Sequence, residues 1–153
     1  MVAGSWTYKK FIRTREDFPS IDVTVGLDPV GEHLGLSGPV RLTVVTATVK
    51  NAGTVRHKMS NLHFDMRVIL NGDLLTRSDV ALGQADFPHK IYDKQRFFPT
   101  SWVWSFVEPG ATNVYRYSAL VPTDAKFALL SVRLPLEGED EFVTSWRVFN
   151  LSP

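Results

Sequence analysis

Val40-Arg41-Leu42-Thr43-Val44-Val45-Thr46-Ala47-Thr48-Val49-Lys50, followed by Asn51-Ala52-Gly53-Thr54, is the stretch whose reading decides the fold. It is dense in β-branched residues, holds no Gly or Pro before Lys50, and stops at a turn cluster containing Gly. That is the composition of a strand ending in a reverse turn. Val40, Leu42 and Val44 share one alternation phase, whereas Val45, Ala47 and Val49 share the other. The phase change predicts either a β-bulge or burial on both faces, and either suits the middle of a sheet better than its edge.

Working outward toward the N-terminus, Ile21, Val23, Val25 and Leu27 alternate with Asp22, Thr24 and Gly26, which predicts a half-buried strand. Asp28 to Pro39, with Gly31, Gly35 and Gly38, reads as a flexible loop. It opens no helix, so its glycines lack the setting of a phosphate-cradling loop. Trp6 to Ile12 reads as a short strand or ordered arm, within an N-terminal arm over residues 1–20.

Working outward toward the C-terminus, Arg56-His57-Lys58 is a short basic cluster in a turn. Leu62, Phe64, Met66, Val68 and Leu70 then lie in one phase against His63, Asp65, Arg67 and Ile69, leading into Asn71-Gly72 and Asp73-Leu74-Leu75. Asn-Gly supplies the positive φ angles of a type I′ hairpin turn. Gly83 to Thr100 shows no strand period. Structureless loops beyond about 12–15 residues are uncommon in compact domains unless functional, and this one has room for a short helix around Lys90 to Arg96. Trp102, Trp104 and Phe106 share one face of the next segment, and Glu108-Pro109-Gly110-Ala111 is a turn. A hairpin closed there sets Trp104 opposite Tyr115 and Trp102 opposite Tyr117, with Val103, Ser105, Val114, Arg116 and Ser118 on the other face. Phe127 to Leu134 and Phe142 to Phe149 are the last two strands, separated by the acidic turn Pro135 to Glu141.

Seven to nine short strands with hairpin turns and no long helix predict an all-β antiparallel β-sandwich, a partly open barrel being the alternative. Thr48-Val49-Lys50-Asn51-Ala52-Gly53-Thr54 and Val107-Glu108-Pro109-Gly110-Ala111-Thr112 resemble the strand-turn signatures of bacterial immunoglobulin-like modules. The resemblance implies an immunoglobulin-like sandwich used for adhesion, assembly or ligand binding, and it brings no catalytic residues. The long 83–100 segment departs from a minimal module of that kind.

The 153 residues are the length of a single domain and suffice for a real core. With 17 Lys plus Arg against 16 Asp plus Glu, a net of +1, no global field argues for nucleic acid or an anionic membrane. The absence of Cys excludes a disulfide framework, a thiolate metal site and a Cys nucleophile. No apolar run approaches the roughly 20 residues of a membrane span. As written the chain is expected to be soluble, either free or as the soluble part of an anchored envelope protein, with its compartment left open.

Two candidate sites follow. Phe87, Tyr92, Phe97 and Phe98 interleave with His89, Lys90, Lys94 and Arg96, a mixture able to hold an anionic partner by stacking plus charge. The plainer reading is a loop that plugs the end of a sandwich and exposes its cations. If the segment binds, the neutral chain points to protein or to self-association, with Phe87, His89, Lys90, Tyr92, Lys94 and Arg96 at the surface and neighbouring strand edges adding a partner's strand. The second candidate is the face carrying Trp102, Trp104, Tyr115 and Tyr117, a stacking platform for carbohydrate or a small ligand. Its plainer reading is the core, since the opposite face is the more polar one.

His33, His57, His63 and His89 lack the spacing of a zinc site, and no Gly-x-Ser-x-Gly elbow or carboxylate pair stands out. No metal or cofactor is expected. The expected function is therefore a non-enzymatic interaction or structural module, with a ligand-binding sandwich as the alternative and a hydrolase assembled only by the fold as a third.

Overall fold

The computed structural model describes residues 20–79, 84–99, 101–102, 104–135 and 142–152. The arm expected over residues 1–20 lies outside them apart from Ser20, whose carbonyl accepts the Ala52 N–H at 2.8 Å. Within the described residues the chain forms nine strands and no helix: β1 (Ile21–Gly35), β2 (Gly38–Asn51), β3 (His57–Met59), β4 (His63–Leu70), β5 (His89–Arg96), β6 (Ser105–Val107), β7 (Thr112–Pro122), β8 (Ala125–Pro135) and β9 (Phe142–Asn150). All strand pairs are antiparallel. They form a three-stranded sheet β1-β2-β7, a two-stranded sheet β3-β6 and a four-stranded sheet β5-β4-β8-β9.

The stretch quoted above is β2, and it is the centre of its sheet. The phase change in its apolar residues has a different cause from the bulge or two-sided burial expected. The register with β7 runs unbroken from Val40↔Pro122 to Lys50↔Thr112. The inward phase is Arg41, Thr43, Val45, Ala47, Val49 and Asn51, every one buried, whereas outward Leu42 is exposed. Polar side chains take inward positions because each finds a partner, as burial of a polar group demands. Thr43 Oγ1 donates to the Ala119 carbonyl at 3.2 Å, and Arg41 Nη1 donates to the Leu151 carbonyl at 3.0 Å. Glu32 lies 3.3 Å from the second Arg41 nitrogen. The bulge belongs to β1, between Pro29 and Gly31.

The glycine-rich loop expected from Asp28 to Pro39 is instead strand. β1 continues to Gly35, a tight turn at Leu36 and Ser37 reverses the chain, and Gly38 starts β2 at φ 122°, a conformation L side chains rarely adopt. This ribbon runs past the core and leaves Leu34 and Leu36 exposed at 77% and 109%.

Inward residues of both larger sheets meet in one apolar core. It includes Ile21, Val23 and Val25 from β1, Phe64, Met66 and Val68 from β4, and Leu130, Val132 and Leu134 from β8. β1 lies beside β9. The hairpin expected at Asn71-Gly72 does not form. Asp73 N–H donates to the Leu70 carbonyl at 3.0 Å, so the turn is tight, yet neither Asn71 nor Gly72 has positive φ and β4 pairs with β5 and β8. Asp73 replaces the type I′ geometry by accepting the Leu70 N–H on its own carboxylate at 2.8 Å.

Candidate functional site

The segment from Lys90 to Arg96, which had room for a helix, is the edge strand β5. Its pairing with β4 shifts register twice, between Phe64 and Met66 and between Met66 and Arg67. At the first shift Asp93 and Lys94 together face Asp65. Lys94 has φ 49° and donates its N–H to Asp65 Oδ1 at 2.9 Å. A bulge with one residue in the left-handed region twists the strand away from ideal pairing, and here a carboxylate compensates the lost ladder bond. These shifts, with the charged composition, erase the period-two signal that would have revealed the strand.

Most of the six residues expected to bind a partner are engaged within the chain. Phe87 is buried, and its carbonyl accepts from Arg67 at 3.3 Å. His89 Nε2 is 2.9 Å from Asp73 Oδ2. The Leu70 N–H and then His89 hold the Asp73 carboxyl below its ordinary value. Lys90 bridges Asp93 at 2.8 Å and Asp65 at 3.5 Å. That contact with Asp93 raises the Lys90 ammonium and lowers the Asp93 carboxyl. Arg96 Nη2 donates to the Trp102 carbonyl at 3.1 Å.

Tyr92 crosses to the other sheet. Its ring lies 5.4 Å from Phe64 and 5.8 Å from Tyr117, and its hydroxyl accepts the Leu120 N–H at 2.9 Å. Burial at this cluster pushes the Tyr117 hydroxyl above its ordinary value.

The four rings of the expected platform are divided among three clusters. The turn at Glu108–Ala111 forms, with Gly110 at φ 76°, but β6 pairs with β3 and β7 pairs with β2. A strand of three residues cannot compete with the long ladder that β2 offers β7. Tyr117 therefore packs on Phe64 and Tyr92, while Tyr115 packs on Phe98, which in turn contacts Trp102 at 6.3 Å. Trp104 stacks on Phe106 at 4.7 Å, with Lys58 Nζ 5.5 Å from the Trp104 ring and the Arg56 guanidinium 4.2 Å from Phe106. Trp102 and Trp104 remain 50% and 48% exposed. The core reading thus applies in part to the two tyrosines and not to the two tryptophans.

Two contacts join the candidate sets: the Tyr92 ring lies against Tyr117 of β7, and Arg96 donates to the Trp102 carbonyl. Sequence reasoning missed the outer edge of β7, which is the last strand of its sheet among the described residues. Because the Leu120 N–H reaches Tyr92, even-numbered residues of β7 direct their main-chain groups away from β2. The same phase puts Pro122, which has no N–H, where no ladder bond is lost. Thr112, Val114, Arg116 and Ser118 present their N–H and carbonyl groups along this edge, and no described residue pairs with them there. The signal available in the sequence was the alternation of Thr112, Arg116 and Ser118, with Val114 in the same phase, against Tyr115, Tyr117 and Ala119.

Among the described residues no three His, Asp or Glu side chains gather as a metal site would require, and no helix is long and apolar enough to cross a membrane. No protein-family model matches the chain, and no curated protein matches it. Among solved structures, the X-ray structure of Northeast Structural Genomics Consortium target SoR45 is similar in fold, with a TM-score of 0.51 and 15% identity over 88% of this chain and 87% of that one.

Proposed function

We propose that the protein is a non-enzymatic, immunoglobulin-like β-sandwich that serves as a protein-interaction module, taking an extended segment of its partner along the β5–β7 side. The observation behind this reading is the edge of β7, where Val114, Arg116 and Ser118 carry main-chain donors and acceptors that no described residue takes up. Such a row is a template for an added strand. The exposed apolar side chains beside it, Val114 and Leu120, supply contact area on the same face.

Residue-resolved amide exchange tests the reading. The amides of Val114, Arg116 and Ser118 should exchange quickly in the free protein while those of Tyr115, Tyr117 and Ala119 are protected, and extended heptapeptides should slow the first set. If no heptapeptide in a varied panel does so, the reading fails. Self-association through the same edge would appear as concentration-dependent scattering accompanied by protection of those amides.

The half-exposure of Trp102 and Trp104 favours a second reading, a site for a sugar or other small ring stacked on either indole. Titration with oligosaccharides should then shift tryptophan emission, and emission that ignores every sugar would remove this reading.

A further inference from the structure

The β7 edge also carries information about what it accepts, an inference that rests on the strand-addition reading above. Arg116 lies within the edge stretch Thr112–Ser118, with its side chain on the exposed outward face. It has no acidic partner among the described residues. Its cross-strand neighbour is Thr46, followed by Gly26 on β1, and its neighbours along the same face of β7 are Val114 and Ser118. Among the described residues, a guanidinium without an acidic partner therefore stands in a strip whose other outward side chains, Thr112, Val114 and Ser118, are uncharged.

A second copy of the same edge fits poorly. Antiparallel pairing centred on the edge stretch sets the two Arg116 side chains directly opposite, or on the diagonal at about 7–8 Å, and like charges so placed are destabilising. Parallel in-register pairing brings them together as well. Registers shifted toward Pro122 need the Leu120 N–H that Tyr92 already holds, and they run into a residue with no N–H. The edge thus discourages its own copy while keeping its donors and acceptors available to a different sequence.

We propose that the β7 edge binds an extended acidic segment of another protein, paired antiparallel, with a carboxylate side chain opposite Arg116 and an apolar side chain beside Val114.

The test uses the full chain and two heptapeptides, acetyl-Thr-Val-Thr-Glu-Thr-Val-Thr-amide and its counterpart with Lys in place of Glu. Affinity is read from the amide signals of Val114, Arg116 and Ser118. The Glu peptide should bind about threefold to tenfold more tightly than the Lys peptide, Arg116→Glu should reverse that order, and Arg116→Thr should abolish it. Ser118→Pro, which deletes an edge N–H and leaves the charge in place, should weaken both peptides. Equal binding of the two peptides at these amides would overturn the acidic preference while leaving strand addition standing. Absence of any response at β7 would overturn both, and protection of the same amides by protein concentration alone would assign the edge to a second copy and overturn the proposal.

Discussion

The main-chain carbonyl of Asn51 accepts the N–H of Gly110 at 2.8 Å, joining two turns that are far apart in sequence. Asn51 reinforces the junction on every side. Its N–H donates to the Ala111 carbonyl at 3.0 Å, its Nδ2 donates to the carbonyls of Val55 and Val107 at 2.8 and 3.1 Å, and its Oδ1 accepts the Gly53 N–H at 3.0 Å. The end of β2 is thereby fixed to the end of β6.

Replacing this buried amide should be costly out of proportion to its size. Asn51→Asp keeps the shape but aims an acceptor at two carbonyls, and it is expected to cost about 3 kcal/mol at neutral pH. Urea unfolding at pH 7 and again near pH 4 checks this, because protonation of the introduced carboxyl restores one donor and part of the stability. A change below about 0.5 kcal/mol would mean that the junction does not hold the two turns together.

Gly38 and Gly72 should behave oppositely. Gly38→Ala forces an L side chain into φ 122° and is expected to cost about 1–2 kcal/mol. Gly72 has ordinary φ, and a Cβ there meets nothing within 4 Å. Gly72→Ala should stay within about 0.5 kcal/mol of the parent. Thermal unfolding of the pair checks both, and a large loss at Gly72 would indicate the type I′ turn after all.

The clamp at Asp73 predicts a dependence on acid. Its carboxyl is held below its ordinary value in the folded chain by the Leu70 N–H and by His89. The stabilisation is therefore present above the ordinary carboxylate value and is lost as pH falls through the depressed folded one. Unfolding of the parent and of Asp73→Asn between pH 7 and pH 2 should differ at the neutral end and converge at the acid end. Parallel curves would show that the carboxylate contributes nothing.

Tryptophan emission should be red and readily quenched by acrylamide. Trp102, Trp104 and Trp146 are 50%, 48% and 43% exposed. Emission from the triple variant carrying Phe at these positions isolates Trp6, so the difference spectrum reports the three indoles directly. Blue, protected emission in that difference spectrum would contradict their exposure.

The strands facing the core were legible because burial imposes alternation. Phe64, Met66 and Val68, or Ala128, Leu130 and Val132, can lie only one way. Strands leaving the core were not legible. The outer half of β1 carries Val30, Glu32 and Leu34 in water, so its pattern is that of a loop, and β5 combines two register shifts with a row of charges. Arg41 and Thr43 read as outward because polarity usually marks the wet face, and only their carbonyl partners explain the reverse. The pairing of β7 with β2 was illegible for another reason: contacts between distant segments leave no local mark, and the adjacent segment around Trp102 and Trp104 looked the better neighbour. The free edge, and with it the candidate site, follows from that pairing alone.

The position of β2 between a near neighbour and a distant one sets an order of assembly. β1 joins it through Leu36 and Ser37, so that ribbon needs only a small loop closure and belongs to the class of event completed in about 1–10 μs. The ladder with β7 must wait for residues 112–122, with β3 to β6 intervening. Until they arrive, Thr43 to Val49 presents a bare edge rich in β-branched residues, the kind of segment that pairs with other chains. Refolding yield should accordingly fall with protein concentration even where the native state is soluble, and a peptide covering Thr112 to Val121, added in trans, should compete with that loss.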